Sequence, residues 1–506
     1  MRLRNRISVL LMIATVVCLV VAGGRLGFSL LGPARKLVQG NISFPSFVES
    51  VQTISTEKFF AKYHFINLNG WFAGVLKQTK SNDVIRLKNG MLTTENAEVS
   101  DHSANAANMA EFSRFLEERG IPFLFIQVPH KIDMDGSLLP DGTVNRYNVN
   151  AGLLLDLLEP EDVRALDLRY TLAGTPELVE QNFFRTDHHW TYTGALTALQ
   201  EIVREFENMF PDAQLDLSRA DPSQWELHVL KDWHLGTWGR RVGLYFAGVD
   251  DLAYYTPVQT DMTRISCAIP DEGLFYKGDF SDAIIRKQLL AEQGYFNASV
   301  SAYYLYMGYD YPLMHLRNPD APNDLKVLII KDSFATPVLG YMSVLFQEVD
   351  VVDPRYYEGS IAQYALFSQP DIVIEMIASS SRRLFYTYGM ENAGMDVQEC
   401  VFAAESLDAG SVPVKLASGE TYMLSFDDVE LDAPSASIVL LRAGDHTRVD
   451  AAVFDVEYCR ENGGFSCLLH VPDGEGEDFE LDFSSGTLNT STGKATFSGV
   501  RLERVG

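Results

Sequence analysis

Cysteine is scarce, with five in 506 residues, and no C-x-x-C pair or zinc-type spacing occurs. This excludes a disulfide-stapled small domain and a structural zinc module. Positive charge is also short: 41 Lys and Arg face 68 Asp and Glu, a formal net charge of −27 spread along the chain. A field of that sign repels phosphate backbones and argues against nucleic-acid binding. Charged residues make up only 22% and aromatics reach 11%, unlike a disordered chain. Internal repeats and low-complexity tracts are absent, and the sequons at Asn41, Asn297 and Asn489 are too common a pattern to inform. With 46% hydrophobic residues the chain can bury a large core, and its length predicts two folded units plus an N-terminal segment.

That segment carries the one long hydrophobic run. Arg2, Arg4 and Arg6 precede apolar sequence from Ile7 to Gly24, broken only by Ser8 and Thr15. The pattern predicts an export signal or a single-pass membrane anchor over residues 1–34, with everything after it extracytoplasmic by the positive-inside rule. Ala22, Gly23 and Gly24 offer no clean A-x-A site, so an uncleaved anchor is favoured; cleavage would make the protein secreted. Val17 before Cys18 is too large for a lipidation site. In an oxidising compartment Cys459 and Cys467 could bridge a hairpin across the turn-forming residues Glu461 to Gly464, or stay free.

From about residue 60 to 390 helical patterns alternate with short apolar strands, as in an α/β domain with a mainly parallel sheet. Met109, Phe112, Phe115 and Leu116 repeat at helical spacing, and Pro122 to Val128 reads as a buried strand. Leu196, Leu199, Val203 and Phe206 mark another helix, Val327 to Ile330 and Asp371 to Ile374 two more strands, and Thr336 to Phe346 a helical stretch. After about Asn392 the texture becomes short strand-like runs, such as Val412 to Leu416, Ser437 to Leu441 and Phe479 to Phe483, separated by Gly, Asp and Ser: an all-β module. The expected units are 35–392 and 393–506.

Two clusters could do chemistry. Ser333 follows Lys331-Asp332 at a strand end and precedes a helix, where a sharp turn can present a hydroxyl beside helical N–H groups; alternatively it caps that helix. Asp187-His188-His189-Trp190 lies before the helix starting near Thr193. In an extended segment residues 187 and 189 point the same way, with His188 turned away. An aspartate beside a histidine fixes the imidazole tautomer that a serine nucleophile needs. A metal site is the rival reading, with further ligands drawn from His64, His130, His234 or Asp310, and a third is a pair of hydrogen-bonded histidines at a buried helix start.

Asp187-His188-His189-Trp190-Thr191 and Lys331-Asp332-Ser333-Phe334-Ala335, with Asn69-Gly70-Trp71-Phe72, Val128-Pro129-His130-Lys131, Gly239-Arg240-Arg241-Val242-Gly243 and Val351 to Tyr357, together resemble the DHHW proteins and their relatives, the periplasmic alginate O-acetyltransferases of the SGNH-hydrolase-like group. The likeness spans about residues 65–385. It implies a three-layer α/β/α domain with Ser333 as nucleophile, His189 as general base and Asp187 as its orienting acid, in the order Asp, His, Ser. His188, Trp190, Arg240 and Gly308 become candidates for substrate or oxyanion binding, Arg240 and Arg241 equally for a structural ion pair. The resemblance implies no cofactor and no metal, a polysaccharide acceptor, and a multi-pass membrane acyltransferase that supplies acetyl groups. The C-terminal module resembles a carbohydrate-binding sandwich by position, although Tyr422, Phe426 and Tyr458 read as core rather than as a sugar platform. The competing expectations are a non-catalytic polysaccharide-binding or assembly scaffold and a metal-dependent hydrolase.

Overall fold

The computed structural model describes residues 62–291, 301–378, 387–483 and 495–506, with residues 24, 29, 31–36, 46 and 50. Apart from residue 24, the N-terminal apolar run lies outside the described residues. Among them no helix is long and apolar enough to cross a membrane.

Continuous apolar runs become strands buried on both faces, the signature of a parallel sheet sandwiched between helices. Eight strands form the main sheet: β1 (Phe123–Val128), β2 (Ala165–Asp167), β3 (Ile265–Ile269), β4 (Leu274–Gly278), β5 (Leu313–Arg317), β6 (Asn323–Lys331), β7 (Phe346–Val352) and β8 (Ile372–Ala378), in the order β2-β1-β8-β6-β7-β5-β3-β4. The five from β2 to β7 run parallel. The remaining three are antiparallel.

Alternate residues of these strands feed two cores. Leu124, Ile126, Val327, Ile329, Val349 and Ile374 pack under α4 (Tyr192–Met209), whose Leu196, Leu199, Ile202 and Phe206 recur at helical spacing. On the other face Phe123, Phe125, Leu328, Ile330 and Val373 meet α2 (Ser103–Glu117), α3 (Tyr147–Leu158) and α8 (Ile361–Ser368). The result is an α/β/α three-layer domain. A further helix, α1 (Lys62–Val75), packs on the short α5 (Thr237–Val242) and α6 (Leu244–Ala247). Gly70 permits the approach: a Cβ there would sit 2.4 Å from the Val242 carbonyl oxygen.

The helix expected to run from Thr336 to Phe346 is shorter: α7 spans Thr336–Met342, and Phe346 already begins β7, paired with Asn323. An apolar run of this length fits either period, and the sheet claims its end.

Beyond residue 396 every strand pairing among the described residues is antiparallel. One sheet contains Val397–Asp408, Thr421–Phe426, Asp428–Leu431, Phe465–His470 and Ala495–Val505; the other Ser411–Lys415, Ser435–Arg442, Arg448–Asp455 and Asp478–Asp482. Leu424, Phe497 and Leu502 of the first share one core with Ile438, Leu440 and Leu481 of the second, which makes a β-sandwich. Tyr422 and Phe426 are buried in that core, whereas Tyr458 lies beside Arg317 of β5. Of the two alternatives for Cys459 and Cys467, the structure has the thiols free and no hairpin between them. Cys459 ends up in a helix (Val456–Glu461) that Asp455 caps by accepting from the Glu457 and Tyr458 N–H groups, and both thiols are free. The sandwich docks on the antiparallel side of the main sheet, where Val453 packs against Ala268 and Phe275 and Lys277 Nζ lies 2.8 Å from Asp455.

Candidate active site

β6 ends at the carboxyl edge of the sheet in Lys331-Asp332-Ser333, and each residue has a separate task. The Lys331 ammonium is fully buried, 2.5 Å from Asp310 and 3.6 Å from Asp353, and Arg355 completes the cluster with contacts of 3.0 and 2.6 Å to the same carboxylates. Burial alone would raise the Asp310 pKa, but Lys331 and Arg355 outweigh it and hold the carboxyl below its usual range. Asp332 locks the turn, accepting from the Phe334 N–H through one oxygen and from the Ala378 N–H of β8 through the other, both at 2.9 Å. Capping therefore falls to Asp332, and Ser333 opens a 3-10 turn, Ser333–Ala335, with its hydroxyl available.

The Asp187–His189 segment reaches the same edge by a tight series of bends. Its organiser is Lys131, which follows β1 and is completely buried. The ammonium donates to the backbone carbonyls of Phe184 at 2.7 Å, Arg185 at 3.1 Å and Asp187 at 2.5 Å, and sits 4.6 Å from the Trp238 ring centroid. Burial pushes this lysine down to about 7, against the pull of Asp250 and Asp187. Asp250 secures the preceding turn, accepting from the N–H groups of Arg185 and Thr186 at 2.6 and 2.8 Å.

These constraints bring Asp187, His189 and Ser333 into line. His189 Nδ1 lies 2.6 Å from Asp187 Oδ1, and His189 Nε2 lies 2.7 Å from Ser333 Oγ. The other Asp187 oxygen accepts from the Thr237 N–H at the start of α5, at 2.6 Å. With Nδ1–H donated to the carboxylate, Nε2 is the basic nitrogen and faces the hydroxyl. Burial would raise the Asp187 pKa, but His188 and His189 beside it hold the carboxyl well below its usual range. The hydroxyl side opens to solvent only narrowly, at 8% exposure for Ser333.

The other expected site residues fall out differently. His188 is not turned away from its neighbour: its ring centroid is 3.7 Å from that of His189, its Nδ1 is 3.3 Å from Asp187 Oδ1, and its side chain is 32% exposed. The segment is bent rather than extended, because Lys131 gathers its carbonyls, so successive side chains do not alternate. Burial and the nearby His189 push the His188 imidazole down to about 3. Trp190, a candidate for substrate contact, is fully buried and braces Phe334 edge-on at 5.4 Å from behind. Gly308, a candidate oxyanion donor, spends its N–H on the Tyr306 carbonyl at 2.8 Å, with φ at +98°. Arg240 is half-buried on α5 and acts electrostatically on His234, while Arg241 pairs with Asp83.

Among the described residues, Asp187, His188 and His189 are the group whose ligand atoms, all within 4.8 Å of one another, could hold a metal ion. The additional ligands that reading needs do not gather there as a set. His234 Nε2 is 3.9 Å from Asp187 Oδ2, whereas His130 Nε2 lies 3.3 Å from Thr93 Oγ1 and Asp310 is held by Lys331. His64 lies on α1.

Sequence reasoning missed Tyr303. Its ring lies parallel to that of His189, 7° between planes and 3.7 Å between centroids, and its hydroxyl donates to the Ser333 carbonyl at 2.8 Å. Nothing in its local sequence, Ala302-Tyr303-Tyr304-Leu305, distinguishes it. Lys331 did leave a signal, a lysine closing the apolar run of β6.

The three-layer fold and the aligned side chains at its sheet edge define an SGNH-hydrolase-like domain. Residues 87–228 match the family model described as the SGNH hydrolase-like domain of acetyltransferase AlgX. No curated protein matches the chain. Among solved structures it is similar to PatB1 of Bacillus cereus, at 22% identity and a TM-score of 0.49 over 59% of this chain and 96% of that one. It is also similar to a DHHW family protein of Eubacterium siraeum, at 19% identity and a TM-score of 0.46 over 62% and 96%. AlgX of Pseudomonas aeruginosa aligns at 11% identity and a TM-score of 0.39 over 84% and 94%.

Proposed function

We propose that the protein is an extracytoplasmic O-acetyltransferase or acetylesterase, held at the membrane by residues 7–24, that modifies a cell-surface or secreted polysaccharide through an acetyl-Ser333 intermediate. The observation that carries this reading is the His189 imidazole, one ring nitrogen 2.6 Å from the Asp187 carboxylate and the other 2.7 Å from the Ser333 hydroxyl. The family model's description as an acetyltransferase supports the acyl group.

In the first half-reaction His189 Nε2 takes the Ser333 proton while Oγ attacks the acetyl carbonyl, and Asp187 stabilises the imidazolium. Collapse of the tetrahedral intermediate breaks the bond to the donor oxygen, which receives that proton. In the second, an acceptor hydroxyl yields its proton to His189 and attacks acetyl-Ser333; release of Oγ, reprotonated by His189, restores the enzyme. A sugar hydroxyl as acceptor gives transfer and water gives hydrolysis. A multi-pass membrane acyltransferase is the proposed donor. The scaffold alternative needed serine and imidazole to stand apart, and no observation favours it.

The test is to treat the protein with an activated acetyl ester and locate the adduct by mass spectrometry. Labelling is expected at Ser333, abolished in His189→Ala. Undiminished ester turnover in Ser333→Ala would rule the mechanism out.

A further inference from the structure

The motif Asn69-Gly70-Trp71-Phe72 plays no part in the chemistry above, yet it lies on the most conspicuous apolar surface among the described residues. Leu68, Trp71, Phe72 and Val75 stand at i, i+3, i+4 and i+7 of α1, which places them on one face. With Leu76 just beyond the helix and Tyr245 on the adjoining α6, they are 47–67% exposed. The opposite face, with Gly70 and Ala73, is the one buried on the protein. Scattered exposed apolar residues are ordinary; a continuous stripe of this size marks an interaction surface.

We infer that this face of α1 lies in the interfacial layer of the bilayer that anchors the chain, an inference resting on the proposed anchorage by residues 7–24. Three observations favour lipid as the occupant. The stripe lies on α1, which comes after the segment expected in the membrane, with residues 35–61 between them. From Tyr63 to Leu76 there is no Asp, Glu, Lys or Arg, in a protein of net charge −27, and Lys62 and Lys77 bracket the stretch. Trp and Tyr accompany Leu, Val and Phe, the mixture that settles at the headgroup boundary, with flanking lysines reaching the headgroups. The helix has 14 residues, too few to span a bilayer and enough to lie along it.

This contact orients the candidate site. α1 packs on α5, whose first N–H binds Asp187 and whose Trp238 touches the Lys131 and His188 side chains. One short helix thus separates the docked face from the triad, placing Ser333 near the membrane surface, where a membrane-embedded acyl donor would release its product.

The test reconstitutes the full chain in phosphatidylcholine vesicles, with and without lipids brominated near the headgroup, and reads tryptophan quenching. Of five tryptophans, Trp190, Trp225 and Trp238 are buried and Trp233 half-buried, so quenching is expected to come from Trp71 and to vanish in Trp71→Phe. The triple variant Leu68→Gln, Phe72→Gln, Leu76→Gln, and separately Tyr245→Asp, should lower the quenched fraction about threefold or more at unchanged melting temperature while the chain still floats with the vesicles. A chain that floats with unquenched emission overturns the inference alone, and assigns the face to another protein, a second copy or the chain's own N-terminal segment. A chain that does not float overturns both the anchor and the docked face.

Discussion

Replacing Lys131 by methionine separates two quantities that usually fall together. The ammonium serves three backbone carbonyls, and a buried acceptor deprived of its donor costs ~1–3 kcal/mol, so the loss is roughly 6 kcal/mol. Against it stands the cost of keeping the charge from water. The pKa is pushed from 10.5 to about 7, and at ~1.36 kcal/mol per unit that penalty is about 5 kcal/mol, which methionine removes. The net destabilisation is then only ~1–2 kcal/mol, a fall in Tm of a few degrees. Catalysis has no such compensation. The released carbonyls belong to the segment that carries Asp187 and His189, and a displacement of about 1 Å at a reacting group costs on the order of 100-fold. Stopped-flow acylation of Ser333 by 4-nitrophenyl acetate should therefore slow about 100-fold in Lys131→Met, while calorimetry shows a folded protein. An unchanged acylation rate would refute the role given to Lys131, and outright unfolding would refute the cancellation of the two terms.

Gly236→Ala should act on the same segment from the other side. Its φ of −71° suits alanine, but the new Cβ would lie 2.3 Å from Asp187 Cβ and 2.5 Å from its Cα, so the backbone must shift, and acylation should fall about 100-fold or more together with a clear loss of Tm. Asp187→Asn removes the charge that stabilises the imidazolium, and acylation measured the same way should drop by ~10³-fold or more. Thermal scans from pH 7 to pH 4 should show stability falling as pH drops. Burial pushes both His130 and His188 from 6.5 to about 3, so between those values the unfolded chain binds more protons and acid favours unfolding. His130→Asn should flatten part of that slope, and a Tm independent of pH across this window would contradict the assignment.

What was legible in the sequence divides along physical lines. Ser333 could be found because a strand ending in a polar turn is a local pattern, and Asp187 with His189 because two residues of spacing suffice to recognise them. The sandwich was visible in alternation: Thr421–Phe426 buries every second residue. Lys131 was not, because its partners lie more than fifty positions downstream, and a lysine after an apolar strand reads locally as an exit to solvent. The position of His188 depends on the bends those long-range bonds impose. The sequence leaves the pairing of Cys459 and Cys467 open, because the Asp455 cap, which turns Val456–Glu461 into a helix, competes with the turn signal of the glycines behind it. The docking of the sandwich left no local trace at all.

Tyr303 and His188 each lie 3.7 Å, centroid to centroid, from the His189 ring, and two rings that near cannot share one face, so the imidazole is held like a card between two others. Swinging it to carry a proton elsewhere would break both contacts. In the proposed mechanism the proton would then return where it was collected, so the departing alcohol and the incoming one would use the same doorway in turn. On the proposed acetyl-Ser333 mechanism, kinetics of the ping-pong kind are expected, in which a large excess of acceptor slows turnover by occupying the entrance before a new acetyl group has arrived.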